Sequence, residues 1–199
     1  MLLERNSHLV ITRVSGFGQT GPYAQRPGFA TIAESLSGLA AITGEPDGAP
    51  LLPPIALTDE VTGITAAFAT MVALYSGTGQ VVDVNLLETI FQMIGVLPTL
   101  YALTGEQQQR MGSAIPYSVP RGTFQCKDER WVGISASADS VAQRVLMLLG
   151  VGDDPRFATF ADRVANRAAL DSLLAEYCAA RTSEEVVNTF TQAEAAAGH

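Results

Sequence analysis

Residues 9–15, LVITRVS, form a β-branched and apolar run that empties at once into SGFGQTGPY (15–23), and this junction limits the fold more than any other segment. Such a run reads as a buried strand feeding a glycine turn. Glycines at 16, 18 and 21 also fit the G-x-G-x-x-G pattern of dinucleotide-binding proteins. That fingerprint must open a helix whose N-terminal amides hold a pyrophosphate, with an acidic residue about 20 positions on at a second strand. Here Pro22 follows Gly21 directly, Pro27 and Gly28 come soon after, and no second strand with a terminal acid arrives on schedule. The dinucleotide reading is set aside. Two remain: a turn that only leaves the strand, and a loop whose small residues let a ligand approach the backbone.

Downstream, apolar spacing predicts a helix over 29–43, a Pro/Gly loop in GEPDGAPLLPP, and a second helix over 59–75. The turn at 77–79 leads into a short strand, QVVDV. Asn85 followed by Glu88 three residues later reads as a capping box opening the apolar helix 86–103. A polar loop or lid covers 104–122, and GTFQCKD and RWVGISAS, joined through Asp128 and Glu129, read as a hairpin. From 138 the pattern is helical, interrupted at GVGDDPRF, and TQAEAAAGH ends the chain without a closing signal. The expected fold class is α/β with a helical tail, divided into a larger domain over 1–110 and a smaller one over 111–199.

Composition narrows the function. Hydrophobic residues make up 47% and charged residues 16%, the balance of a packed globular chain. A net charge of −8, with twelve dispersed basic residues, argues against a nucleic-acid surface. Cys126 and Cys178 are far apart in sequence and suggest neither a disulfide framework nor a metal cluster. No apolar run reaches the ~18 residues of a membrane span, and residues 1–6 lack a signal-peptide layout. A cytoplasmic protein with no membrane partner is expected. Histidine occurs only at His8 and His199, so hydrolase triads and zinc sites lack their usual residue.

Carboxylates, glycines and hydroxyls remain. Asp59, in PPIALTDEVTGITAAFATM, stands between an extended segment and an alanine-rich helix. It reads either as an acid stabilising a helix start through free amides and the macrodipole, or as a nucleophilic carboxylate beside a loop with room for an acyl donor. Glu60 reads as solvated, Asp83 and Glu88 as structural, and Asp128, Asp153 and Asp154 as turn residues.

Six segments in order, SGFGQTGPYAQRPGF, SGLAAITGEPDGAP, ALTDEVTG, TGQVVDVNLLE, IPYSVPRGTFQCKD and DPRFATFADRVANRAALDSLL, resemble the family III CoA-transferases, a group that includes the α-methylacyl-CoA racemases. The resemblance implies a Rossmann-like α/β fold, an interlocked homodimer, and Asp59 as the catalytic aspartate. It implies CoA transfer between an acyl-CoA and a carboxylic acid through aspartyl anhydride and thioester intermediates, with no metal or redox cofactor, the CoA thioester being a substrate. Gly16, Phe17, Gly18, Gln19 and Gly21 would line the acyl-CoA site, with loop amides as candidate oxyanion donors.

The racemase branch is the rival implied by the same resemblance, and it carries a histidine after the glycine matching Gly28. This chain has Phe29 there, read either as a core aromatic or as a pocket wall. Neither transfers a proton, which favours CoA transfer. The family's N-terminal half has no counterpart in the sequence, its C-terminal segment is cut short, and Ala30 stands where an Asp often follows G-F. A central fragment, inactive unless a partner supplies the rest, is therefore the further alternative.

Overall fold

The computed structural model describes Leu2–His199; Met1, the first residue of the expected 1–110 domain, lies outside the described residues. The chain divides into two compact units, Met1–Arg110 and Met111–His199. Helices and strands alternate in the first, and a three-stranded sheet with helices forms the second, an α/β architecture throughout.

In order, the first unit contains α1 (Leu2–Arg5), β1 (Val10–Ser15), α2 (Ala30–Leu36), α3 (Leu39–Ile42), α4 (Leu57–Tyr75), β2 (Gln80–Asn85), α5 (Leu86–Met93) and α6 (Leu97–Thr104). The strands β1 and β2 pair in parallel from Val10 opposite Gln80 to Ser15 opposite Asn85. A parallel pair needs a crossover, which α2, α3 and α4 supply. Two predicted helices are broken by glycines in the left-handed region. Gly38 (φ 91°) divides the helix expected over 29–43, and Gly95 (φ 62°) divides that over 86–103. Asn85 caps α5 by accepting from the Glu88 amide at 2.8 Å, while the Glu88 carboxylate takes the Asn85 side-chain amide at 2.7 Å.

The small core of this unit gathers Ala33, Leu86 and Ile90, with Leu39 and Leu87 packed against it. Phe29 is not in it. That side chain is 78% exposed at the N-cap position of α2, so the core-aromatic reading is corrected: the helix turns its Ala33 and Glu34 face inward and leaves its first residue outside. One composition-based expectation also changes. Starting two residues before the predicted position, α4 is 19 residues long and apolar enough by length and composition to cross a membrane. Here it lies against β1 and β2, with Thr70 Oγ1 2.5 Å from Thr12 Oγ1.

The second unit runs β3 (Arg121–Gln125), β4 (Trp131–Ser135), α7 (Asp139–Leu148), a 3₁₀ turn (Pro155–Phe157), α8 (Phe160–Ala165), α9 (Arg167–Ala179), α10 (Ser183–Gln192) and β5 (Ala196–Gly198). The expected hairpin is β3 and β4, antiparallel with Arg121 opposite Ser135. Capping boxes at Thr159/Asp162 and Thr182/Glu185 start α8 and α10. The chain end is not open as the sequence suggested, since β5 adds antiparallel to β4 with Ala197 opposite Ile134. Alanine and glycine carry little strand preference of their own; the unpaired edge of β4 recruits them.

The two cysteines, distant in sequence, lie together as free thiols in the core of this unit among Phe124, Val132, Leu174 and Phe190. A thiol–thiol hydrogen bond joins them, and burial, then the neighbouring Cys126, pushes Cys178 up to about 12. Because the folded state holds this proton above the range where an unfolded thiol releases it, stability is fully present at neutral pH. It declines as pH rises through 9 toward 12, by up to about 1.4 kcal/mol per unit. Denaturant titrations across that window should show this decline, and Cys178→Ala should flatten it.

Candidate functional site

The glycine loop leaves the carboxyl end of β1, the edge at which open α/β sheets bind ligands. Its form follows from close packing. A Cβ on Gly16 would meet Gly28 Cα at 3.0 Å, and one on Gly28 would meet the Phe17 ring at 2.8 Å, so glycine at both positions lets two backbone segments touch. Gly18 is in the left-handed region (φ 85°), where a side chain would be strained. The Phe17 ring stands edge-on to Tyr23, with centroids 5.6 Å apart, and the Arg26 guanidinium lies 4.0 Å over the Tyr23 ring.

Two loop amides already have internal partners. The Gly18 amide donates to Ser15 Oγ at 3.0 Å, and that of Gln19 to Asp83 Oδ2 at 2.8 Å. Asp83, expected to be structural, therefore fixes the loop to β2. Of the amides that sequence reasoning offered as oxyanion donors, those two are engaged in holding the loop.

Asp59 lies in the first turn of α4, and its position relative to the loop follows from the helix direction. The chain leaves α4 through the tight turn 76–79 and enters β2 at Gln80, so α4 runs antiparallel to both strands it packs on. Thr70 is level with Thr12. From Thr70 back to Asp59 the helix rises about 16 Å, whereas from Thr12 to Ser15 the strand climbs about 10 Å. Asp59 thus stands just beyond the carboxyl ends of the strands, the end from which the glycine loop emerges.

The N-cap of α4 is Ala56, and no side chain caps the helix. Asp59 is exposed, and among the described residues none hydrogen-bonds its carboxylate. It stands over the positive end of the helix dipole with its oxygens available to a reactant. Glu60 is exposed too, as expected. Gly16, Phe17, Gly18, Gln19, Gly21 and Asp59 share one end of the first unit, although no hydrogen bond links Asp59 to the loop; Phe29 stands at the solvent-exposed start of α2.

Sequence reasoning passed over Glu34 and Thr58. Glu34 is 3% exposed, and the buried Thr58 hydroxyl donates to its Oε1 at 2.8 Å. The available signal was an acid falling among Ala33, Ser37 and Ala40 at helical spacing, on the stripe a soluble helix turns inward. Two concavities do not include Asp59: a cleft of about 470 Å³ in the second unit lined by Arg121, Thr123, Ser135 and others, and one of about 490 Å³ between α4 and β2 lined by Phe68, Val72, Gln80 and others. Among the described residues no group of three or more His, Cys, Asp or Glu side chains gathers to hold a metal ion.

A carboxylate that is exposed and free of hydrogen bonds among the described residues, at the start of a crossover helix and at the same end of the parallel strands as a glycine loop, has the chemistry of a nucleophile toward an activated acyl group. Comparison with known proteins gives the class a family. The chain belongs to CoA-transferase family III, whose model matches residues 1–199. It is 37% identical over 188 residues to the succinyl-CoA–D-citramalate CoA-transferase of Chloroflexus aurantiacus, covering 91% of this chain and 47% of that protein. The mouse succinyl-CoA:glutarate CoA-transferase is 35% identical over 186 residues, covering 90% and 42%. A CaiB/BaiF family protein from Brucella suis superposes with a TM-score of 0.78 at 32% identity, over 100% of this chain and 54% of that one. The chain spans about half the length of the curated relatives it matches.

Proposed function

We propose that this chain carries the nucleophile of an acyl-CoA:carboxylate CoA-transferase, and that Asp59 is that nucleophile. The observation that supports it is the exposed, uncommitted carboxylate at the start of α4, at the glycine-loop end of the strand pair, in a member of this family. An Asp59 oxygen attacks the thioester carbonyl, the tetrahedral oxyanion collapses, and CoA thiolate leaves, giving a mixed anhydride. The thiolate then attacks the aspartyl carbonyl, releasing the donor acid and leaving an aspartyl-CoA thioester. The acceptor carboxylate attacks that thioester to form a second anhydride, and the expelled thiolate takes the acceptor acyl group, which regenerates the Asp59 carboxylate. No net proton or electron is consumed, so the sequence needs neither metal nor redox cofactor.

The names of the relatives support succinyl-CoA as donor and a second dicarboxylic acid as acceptor. Relatives named as alpha and beta subunits of a malate transferase support an assembly of more than one chain, for which the interlocked homodimer implied by the family resemblance is our reading. A cytoplasmic setting, where soluble acyl-CoA pools are handled, fits this reading. Racemisation is the weaker alternative, because Phe29 stands where a proton-transfer group would be needed.

The test is a hybrid in which residues 1–199 replace the matching stretch of the Chloroflexus citramalate transferase. Treated with succinyl-CoA and then hydroxylamine or borohydride, it should carry a modified Asp59 in the 55–63 peptide by mass analysis, because an activated acyl-aspartate reacts and a free carboxylate does not. A hybrid that turns over with an unmodified 55–63 peptide would remove Asp59 from the reaction.

A further inference from the structure

Glu34 presents a cost that packing alone does not explain. A carboxylate buried to 3% exposure on the inner face of α2 is unfavourable unless it is hydrogen-bonded, and an apolar residue would fill that face without the penalty. The donor it meets is the Thr58 hydroxyl, at 2.8 Å, and Thr58 is the residue before Asp59. The first turn of α4 has a particular need for such a tie, since Ala56 at its N-cap offers no side-chain acceptor. Within the helix, the Thr62 hydroxyl donates to the Thr58 carbonyl at 2.6 Å, so Thr58 is held from below as well as from the side.

We propose that Glu34 is a positioning residue for the nucleophile: through Thr58 it fixes the first turn of α4, and with it Asp59, to the helix that follows the Gly28 segment packed on the glycine loop. The second link lies just upstream, for α2 begins two residues after Gly28, past its N-cap Phe29, and a Cβ on Gly28 would meet the Phe17 ring at 2.8 Å and Gly16 Cα at 3.3 Å. One short stretch of chain, Gly28 through α2, thus meets the loop at its beginning and holds the turn that carries Asp59 at the helix's inner face. Asp59 itself is exposed and, among the described residues, its carboxylate takes no hydrogen bond, so its register with the loop depends on the residue before it. A displacement of about 1 Å at a reacting group can cost about 100-fold in rate, so a small tilt of this turn is enough to matter.

This inference rests on Asp59 being the nucleophile, and the variants separate the two ideas. In the hybrid transferase, Thr58→Val, which exchanges a hydroxyl for a methyl, and Glu34→Ala should each lower kcat about 10- to 100-fold with KM for succinyl-CoA changed less than about twofold. Thr58→Ser and Glu34→Gln keep donor and acceptor and should return kcat to within about threefold of the parent. The double variant should be no slower than the slower single one, because both remove one hydrogen bond. Amide exchange over 57–61 should quicken in Thr58→Val while that over 66–75 stays unchanged. Normal kcat in Thr58→Val, losses in Glu34→Ala and Thr58→Val that multiply, a rise in KM alone, or a Thr58→Val protein that does not fold would each overturn the positioning role. Asp59→Asn in the same hybrid tests the underlying reading: if it turns over normally, the nucleophile is wrong, whereas its inactivity beside a fully active Thr58→Val rejects only the role of Glu34.

Discussion

Asp59→Asn in the hybrid transferase is expected to lose CoA transfer by about three orders of magnitude or more, the scale seen when a covalent nucleophile is removed, while melting at nearly the parent temperature. The two halves of that expectation come from different features of the structure. Asp59 accepts no hydrogen bond among the described residues and is not the N-cap, so removing its charge forfeits only the interaction with the helix dipole, about 0.3–1 kcal/mol. An amide, however, cannot attack a thioester to give an anhydride. Glu60→Gln supplies the control, being one residue on, also exposed, and equal in charge change. Steady-state exchange of succinyl-CoA with the acceptor acid, read beside thermal melting, should show a large kinetic loss for Asp59→Asn and almost none for Glu60→Gln. Comparable activity in both variants would return Asp59 to a purely structural place at the start of its helix.

How far the sequence could anticipate this site depends on the range of the interactions involved. The strand over 9–15, the glycine turn, the Asn85 cap and the 122–137 hairpin are written in neighbouring residues, and the structure has them within a residue or two. Asp59 stood out for the same local reason, a carboxylate between an extended segment and a helix. Its exposure, and that no described residue hydrogen-bonds its carboxylate, could not be read, because they depend on α4 beginning at Leu57 with Ala56 as its cap. Gly38 and Gly95 were visible but ambiguous: glycine inside an apolar helical pattern is tolerated or breaks the helix according to whether the chain must turn there. The Glu34–Thr58 bond spans 24 residues, the Cys126–Cys178 contact more than twice that, and β5 exists only because β4 has a free edge. None of these pairings leaves a local trace, for the spacing that marks Glu34 as inward-facing does not name its partner, and Phe29 shows the converse, an aromatic whose apolar character suggested burial until the helix direction left it outside.

Arg163→Met should cost the second unit about 3–5 kcal/mol, the largest stability effect expected of a single substitution here. Its guanidinium is 2% exposed, yet the ion pair it makes with Asp139 is not the main reason, since the aspartate side chain is 79% exposed and shares its charge with water. The other two arms carry the argument. Nε donates to the Val119 carbonyl at 3.2 Å and Nη1 to that of Phe157 at 3.4 Å, both residues belonging to the buried cluster with Leu146 and Leu170. Methionine fills much of the same volume but leaves both carbonyls without a donor, each worth about 1–3 kcal/mol when stranded. Lysine at this position can reach one acceptor but cannot divide its donors among three directions as the planar fork does, so Arg163→Lys should recover less than half the loss. Asp139→Asn, by contrast, should shift stability by less than about 1 kcal/mol. Urea unfolding of the three variants, followed by the fluorescence of Trp131 on β4, distinguishes these cases. If Asp139→Asn proved as damaging as Arg163→Met, the exposed ion pair rather than the two buried carbonyls would be what Arg163 is kept for.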